Sequence, residues 1–223
     1  MEDLVCISPV DGREYARRAL TPDTQVDAAI ARARTAQAEW ARVPLADRVA
    51  VALRFVEAME ALNPEIVPEL AWQMGRPVRY GGELRSLVER VHGTLALAED
   101  ALAPVTPEEQ AGIKRYVARL PVGLVLVIAP WNYPFLTAAN TIIPALVAGN
   151  AVLLKHASQT ILAGERYEQA LRMAGLPEGL FANLFLSHEQ TGRLLSSGQV
   201  DHATFTGSVV GGRAIERAAA GSF

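Results

Sequence analysis

The stretch LVLVIAPWNYPFLTAANTIIPALVAGNAVLLK, Leu124 to Lys155, decides the fold. It opens on LVLVIA (Leu124 to Ala129), a branched apolar run without polar alternation, as expected of a strand buried on both faces. Pro130 and Pro134 then bracket Trp131, Asn132 and Tyr133. Proline fixes φ and has no N–H to give a ladder, so the strand stops there and the bracketed residues stay extended. FLTAANTIIPALVAG reads as a helix and AVLLK, Ala151 to Lys155, as a second buried strand. A strand, a crossover helix and another strand make a unit whose strands pair in parallel.

Toward the C-terminus the alternation continues: SQTILAGERYEQALRMAG as helix, LFANLFL as strand, EQTGRLLSS as helix, HATFT as strand and GGRAIERAAA as helix. This pattern predicts an α/β core over residues 123–223, an open doubly wound, Rossmann-like parallel sheet with helices on both faces. Toward the N-terminus the apolar period becomes helical. The first hundred residues read as helices: TPDTQVDAAIARARTAQAEWARV, then LADRVAVALRFVEAMEAL, then EIVPELAWQMG beyond a break at Asn63-Pro64, and a last one from about Gly82 that Pro104 and Pro107 stop. IKRYVARLP, from Ile113, mixes β-branched and aromatic residues with charges as a half-exposed strand does. The expected division is a helical part at 1–106, a strand arm at 107–122 and the βα core.

Composition narrows the function. With 21 basic against 24 acidic side chains the net charge is −3, and no Lys/Arg run supplies the footprint that nucleic acid or an anionic membrane needs. The apolar stretches are too short and too broken to span a membrane, and MEDLVCISP carries acidic residues where a secretion signal has basic ones. A soluble, cytoplasmic protein is expected. The single cysteine, Cys6, excludes a disulfide framework and a Cys-rich metal site, and its short apolar run suits packing better than nucleophilic chemistry.

Doubly wound sheets bind ligands beyond the carboxyl ends of their strands. After the first core strand, Asn132 sits on a stiff turn, where its amide either donates to a developing oxyanion or caps the next helix; turn chemistry weighs these equally. Lys155 ends the second strand, where it reaches a nucleotide or simply snorkels to solvent. Ser158 is placed to cap the following helix. Phe205, Thr206, Gly207 and Ser208 open another helix, forming either an anion site of free N–H groups or an ordinary tight turn. Ser187 and His188 read as a loop and N-cap, not as a catalyst.

PWNYP, LLKHAS, GLPEGLFANLF and FTGSVVGGR, in that order and spacing, resemble the aldehyde dehydrogenase superfamily across essentially the whole chain. The resemblance implies that Asn132 stabilises the oxyanion formed when a cysteine thiolate attacks an aldehyde. Ile128, Ala129, Pro130 and Trp131 would line the nicotinamide side of an NAD or NADP groove, Lys155 and Ser158 would face the adenosine ribose, and Phe205, Thr206, Gly207 and Ser208 the pyrophosphate end. Tyr133, Thr137 and Asn140 would line the aldehyde's path. By the same resemblance the nucleophilic cysteine and general-base glutamate lie beyond Phe223. The expectation is therefore a truncated N-terminal, cofactor-binding portion, with Ile113 to Leu120 as the arm that builds a homodimer or homotetramer. A naturally short nucleotide-binding or regulatory module, or a non-binding oligomer partner, is the competing expectation.

Several positions depart from the family pattern. Ser158 replaces a glutamate that hydrogen-bonds the ribose, which removes repulsion against a 2′-phosphate and makes NADP admissible beside NAD. A glycine is absent between Ser187 and Thr191, although Gly192 follows, and this puts close backbone approach of the cofactor there in doubt. Gly211 stands where a branched apolar residue is usual, implying a looser groove. Thr137 and Asn140 in place of bulkier residues imply a more polar aldehyde, although Asn140 could equally bond backbone freed by Pro144.

Overall fold

The computed structural model describes residues 3–107 and 112–222. Its core is a four-stranded sheet of β3 (Leu124–Ile128), β4 (Ala151–Lys155), β5 (Phe181–Asn183) and β6 (His202–Phe205), all parallel, in the order β5-β4-β3-β6. Every residue of β3 and β4 is buried, as their unbroken apolar runs require.

The chain steps outward from β3 to β4 to β5, then returns to lay β6 on the other side of β3. That reversal makes β3/β6 the topological switch point, and right-handed crossovers on either side of it put their helices on opposite faces. On one face α5 (Pro134–Val147) and α6 (Leu162–Met173) pack on α2 (Leu45–Met74) and α3 (Leu84–Ala96). On the other lie α7 (His188–Ser196) and α8 (Val209–Ala219), with α1 (Asp23–Trp40) packed on β3 and β4 and tied to α7 through Gln190 Nε2, which donates to Asp23 Oδ1 at 2.8 Å. A short α4 (Ala98–Leu102) follows α3.

The helical reading of the first hundred residues needs correction in two places. Asp3–Ile7 (β1) and Glu14–Ala19 (β2) form an antiparallel hairpin, turning at Gly12 with φ 73°. Its inner face buries Cys6, whose Sγ–H donates to the Gln159 carbonyl at 3.1 Å. Asn63-Pro64 does not end a helix: α2 runs unbroken through Pro64 and Pro68. Met59, Leu62, Ile66 and Leu70 form one buried stripe across the prolines, and that burial outweighs the lost backbone hydrogen bonds.

LFANLFL contributes only the three-residue β5 to the sheet, with Leu180, Leu184 and Leu186 buried around it. Of the expected arm at 107–122, residues 108–111 lie outside the described residues. In the remainder Val117 makes an isolated antiparallel bridge with Val105, and Ile113, Tyr116, Leu120 and Val122 are exposed. No described helix is long and apolar enough to cross a membrane.

Candidate functional site

Sheet register builds the site. Ile128 pairs with Lys155 on one side and with Phe205 on the other, so three strands end on a single row at the switch point. Paired residues of parallel strands point to the same face, and this row lines a cleft of about 780 Å³ beneath α7 and α8. Ala129, Pro130, Trp131 and Asn132 line it from the β3 turn, and Thr206, Gly207 and Ser208 from the β6 turn. Ser158 sits apart, in an adjoining cleft of about 430 Å³ that shares Lys155, Ala157 and His188 with the first. The two clefts run on as one groove.

Lys155 is only 8% exposed and has no hydrogen bond or ion pair among the described residues. It is not a snorkelling surface lysine, and burial pulls its amine below the usual lysine pKa. A buried cation without a counter-ion can bind an acceptor on a ligand without first breaking a salt bridge.

At the β6 turn Ser208 caps α8, its Oγ accepting from the Gly211 N–H at 3.1 Å. The N–H groups of Val209 and Val210 have no partner among the described residues and lie at the positive end of the helix dipole. Ser158, in contrast, caps nothing: it is exposed at the start of a 3₁₀ turn, and α6 begins at Leu162 without a side-chain cap. At α7 a capping box of Ser187 and Gln190 forms, and His188 projects exposed into both clefts.

The PWNYP turn is held from the opposite face. Asn132 does not cap α5. That role falls to Glu83, at the start of α3, whose Oε2 accepts from the N–H groups of Phe135 at 3.1 Å and Leu136 at 2.7 Å. Burial raises the Glu83 pKa, while the two N–H donors and Arg76, 3.6 Å away, oppose that shift. His156 follows Lys155, so its side chain alternates to the other face. Its Nε2 lies 3.2 Å from the Pro134 carbonyl, which can only accept; Nδ1 therefore accepts from the Thr160 hydroxyl at 3.2 Å. Burial keeps this imidazole neutral, its pKa pushed down to about 4. The buried Tyr167 hydroxyl donates to the Phe135 carbonyl. These three side chains fix the backbone from Pro134 to Leu136 just beyond it, and Asn132 itself makes no side-chain hydrogen bond among the described residues, its carboxamide lining the cleft.

Sequence reasoning missed Glu83, His156 and Tyr167. Glu83 lies 52 positions from Phe135, beyond any local pattern.

Tyr133, Thr137 and Asn140 do not line the cleft. They run down α5, with the Arg76 guanidinium 5.3 Å over the Tyr133 ring. Asn140 Oδ1 accepts from Arg90 Nη1 at 2.7 Å, and no hydrogen bond from its side chain to the backbone is found among the described residues. Gly211 lines the cleft, and the Phe205 ring occupies the space that a Cβ there would need.

The family model for "Aldehyde dehydrogenase family" matches residues 2–223. N-succinylglutamate 5-semialdehyde dehydrogenase 1 of Caulobacter vibrioides is 36% identical over 97% of this chain and 46% of the relative. Benzaldehyde dehydrogenase [NAD(+)] of Pseudomonas putida is 30% identical over 94% of this chain and 43% of its own length. The crystal structure of an NAD-dependent benzaldehyde dehydrogenase from Corynebacterium glutamicum superposes with a TM-score of 0.90 at 28% identity, covering 99% of this chain and 48% of that one. The chain thus spans about half the length of these relatives. Ordered motifs, switch-point groove and matched residues all agree, and the chain belongs to the aldehyde dehydrogenase family.

Proposed function

We propose that the groove binds NAD+ or NADP+ and that this chain supplies the cofactor site and the oxyanion donor of an aldehyde oxidation. One observation carries the reading: Lys155, Ile128 and Phe205 end three strands on one row at the switch point, with the free amide of Asn132 beside them. The residues suit a dinucleotide. Lys155 can donate to the adenosine ribose, the open N–H groups around Gly207 and Ser208 suit a pyrophosphate, and Pro130 and Trp131 flank the nicotinamide end. Bound there, the cofactor supplies a hydride acceptor.

The Asn132 amide donates to the aldehyde oxygen as a cysteine thiolate adds to the carbonyl carbon and negative charge builds on that oxygen. Cys6 is not that thiolate, being fully buried beneath the hairpin with its pKa raised by burial. The nucleophile and the general base come from polypeptide outside these residues. Ser158 puts a hydroxyl at the position where a ribose-bonding carboxylate is usual, which admits NADP+ beside NAD+.

Thr137 and Asn140, with Arg90 held against Asn140, favour a polar aldehyde, in keeping with the semialdehyde named for the Caulobacter relative. The exposed apolar side chains at 113–122 support assembly into a homodimer or homotetramer, and the reduced Cys6 suits the cytoplasm.

Titration of the chain with NADH, followed by nicotinamide fluorescence, tests the reading. Saturable binding that Lys155→Ala weakens is expected. Absence of saturable binding by both NADH and NADPH refutes it.

A further inference from the structure

Tyr133 stands where helix chemistry alone would not put it. It is the N-cap residue of α5, yet it gives that helix no side-chain hydrogen bond, and tyrosine is not among the residues that cap well. Glu83 does the capping from α3. The Tyr133 ring is half exposed next to Asn132, outside the cleft that Asn132 lines. A residue that local rules disfavour, placed beside the amide on which the site depends, marks a position set by function.

A second side chain is committed to that ring. The Arg76 guanidinium lies 5.3 Å over its centroid, within the range of a cation–π contact. Among the described residues Arg79 over Tyr80 and Lys114 over Tyr116 make similar contacts, but both join near neighbours in sequence. Arg76 comes from just beyond the end of α2. Its backbone is pinned there between Gly75, in the left-handed region at φ 74°, and Pro77, which holds the residue before it extended. Its side chain is 15% exposed, and its ion-pair partner is the buried Glu83 at 3.6 Å. That separation is too long for a hydrogen bond, and Glu83 Oε1 has no hydrogen-bond partner among the described residues. A guanidinium so placed could close on that oxygen as a forked pair. It lies over the Tyr133 ring instead.

On the reading that Tyr133 stands on the aldehyde's path to Asn132, we propose that Arg76 is a positioning residue, which fixes the Tyr133 ring as a wall of that path. Glu83 holds the backbone of α5 with one oxygen and faces Arg76 with the other, so turn and ring are set by the same carboxylate. Without the cation the ring turns about its side-chain bonds, and the approach to Asn132 loses its fixed width.

Fluorine NMR of the chain labelled with 3-fluorotyrosine tests this, with Tyr133→Phe identifying the signal among the five tyrosines. Arg76→Gln should narrow the Tyr133 line by about twofold and move it toward its unfolded position, because the freed ring reorients as an exposed side chain does. Buried Tyr167 is the control for general loosening, and its signal should stay in place. Arg76→Lys keeps a cation over the ring and should hold the Tyr133 signal near that of the wild type. Tyr133→Leu is the reciprocal variant at an exposed position, and there the Arg76 Nε–H proton, shielded by the ring above Tyr133 Cβ in the wild type, should move downfield. The inference is overturned by an unmoved Tyr133 line in Arg76→Gln, by a Tyr167 line that moves with it, by equal effects of lysine and glutamine, or by an unmoved Arg76 proton in Tyr133→Leu. NADH affinity should stay within about twofold in Arg76→Gln, since Tyr133 lies outside the cleft, and a larger loss would place Arg76 in the cofactor site and overturn the inference too. A wild-type chain that binds neither NADH nor NADPH refutes the groove reading itself, an outcome distinct from all of these.

Discussion

Replacing Glu83 by alanine removes the only side-chain acceptor that the first turn of α5 has among the described residues. Its carboxylate takes the N–H groups of Phe135 and Leu136, the former buried, at the positive end of that helix. Loss of a side-chain cap costs about 1 kcal/mol. A buried N–H left without a partner adds about 1 to 3 kcal/mol. Together these give about 3 kcal/mol for Glu83→Ala, with Arg76 losing its partner as well. Glu83→Gln separates hydrogen bonding from charge, because the amide oxygen still accepts. Burial raises the Glu83 pKa despite its donors, so desolvation already offsets much of what the charge gains from the helix dipole. The glutamine variant should therefore lose only about 1 kcal/mol. Urea unfolding followed by circular dichroism measures both. An alanine variant within about 0.5 kcal/mol of wild type, the range of an ordinary surface change, would show that the cap carries no weight. A glutamine variant as damaged as the alanine one would show that charge, not hydrogen bonding, holds the turn.

His156 predicts a pH dependence. Its folded pKa of about 4 lies below its ordinary 6.5, so the unfolded chain binds a proton that the folded chain refuses. Stability from this group is present above pH 6.5 and is lost as pH falls toward 4, by about 3 kcal/mol; His156→Gln should flatten that part of the unfolding profile, and an unchanged profile refutes the assignment. Lys155→Ala and Ser208→Ala should each weaken cofactor binding without altering the fold, and unchanged affinity for both would mean that the groove is misplaced. Cys6 should resist a thiol reagent in the native chain and react once urea unfolds it; prompt native labelling would contradict its burial.

Much of the fold could be read from the chain because the deciding signals are local. Unbroken apolar runs ended by proline or lysine identify β3 and β4, and the helices between them keep their period. The failures occur where tertiary contact overrides a local rule. Pro64 ends a helix in isolation, but Ile66 and Leu70 continue a stripe that α6 covers, and the helix goes on. The hairpin had a signal, Asp11-Gly12 between LVCI and EYARRA. The charged residues of β2 obscured it, because Arg17 and Arg18 spend their charges on Asp3, Glu14 and Glu165 and do not mark a solvated helix face.

The site divides along the same line, and His156 shows why. Lys155 and its partners are visible in sequence because strand ends are where a doubly wound sheet presents ligands. One residue later the backbone alternates, and the His156 side chain enters the opposite layer to meet Pro134. The last residue of β4 and the one that follows it thus hold the two sides of the site, Lys155 in the groove and His156 on the turn that carries Asn132. Glu83 and Tyr167 join His156 from α3 and α6 on that far face. The turn from Pro130 to Tyr133 is the piece of backbone that passes from the groove row into this grip. The position of the Asn132 amide is therefore set by packing on the face away from the groove, and repacking α3 against α5 should move that amide while leaving the Lys155 row in place.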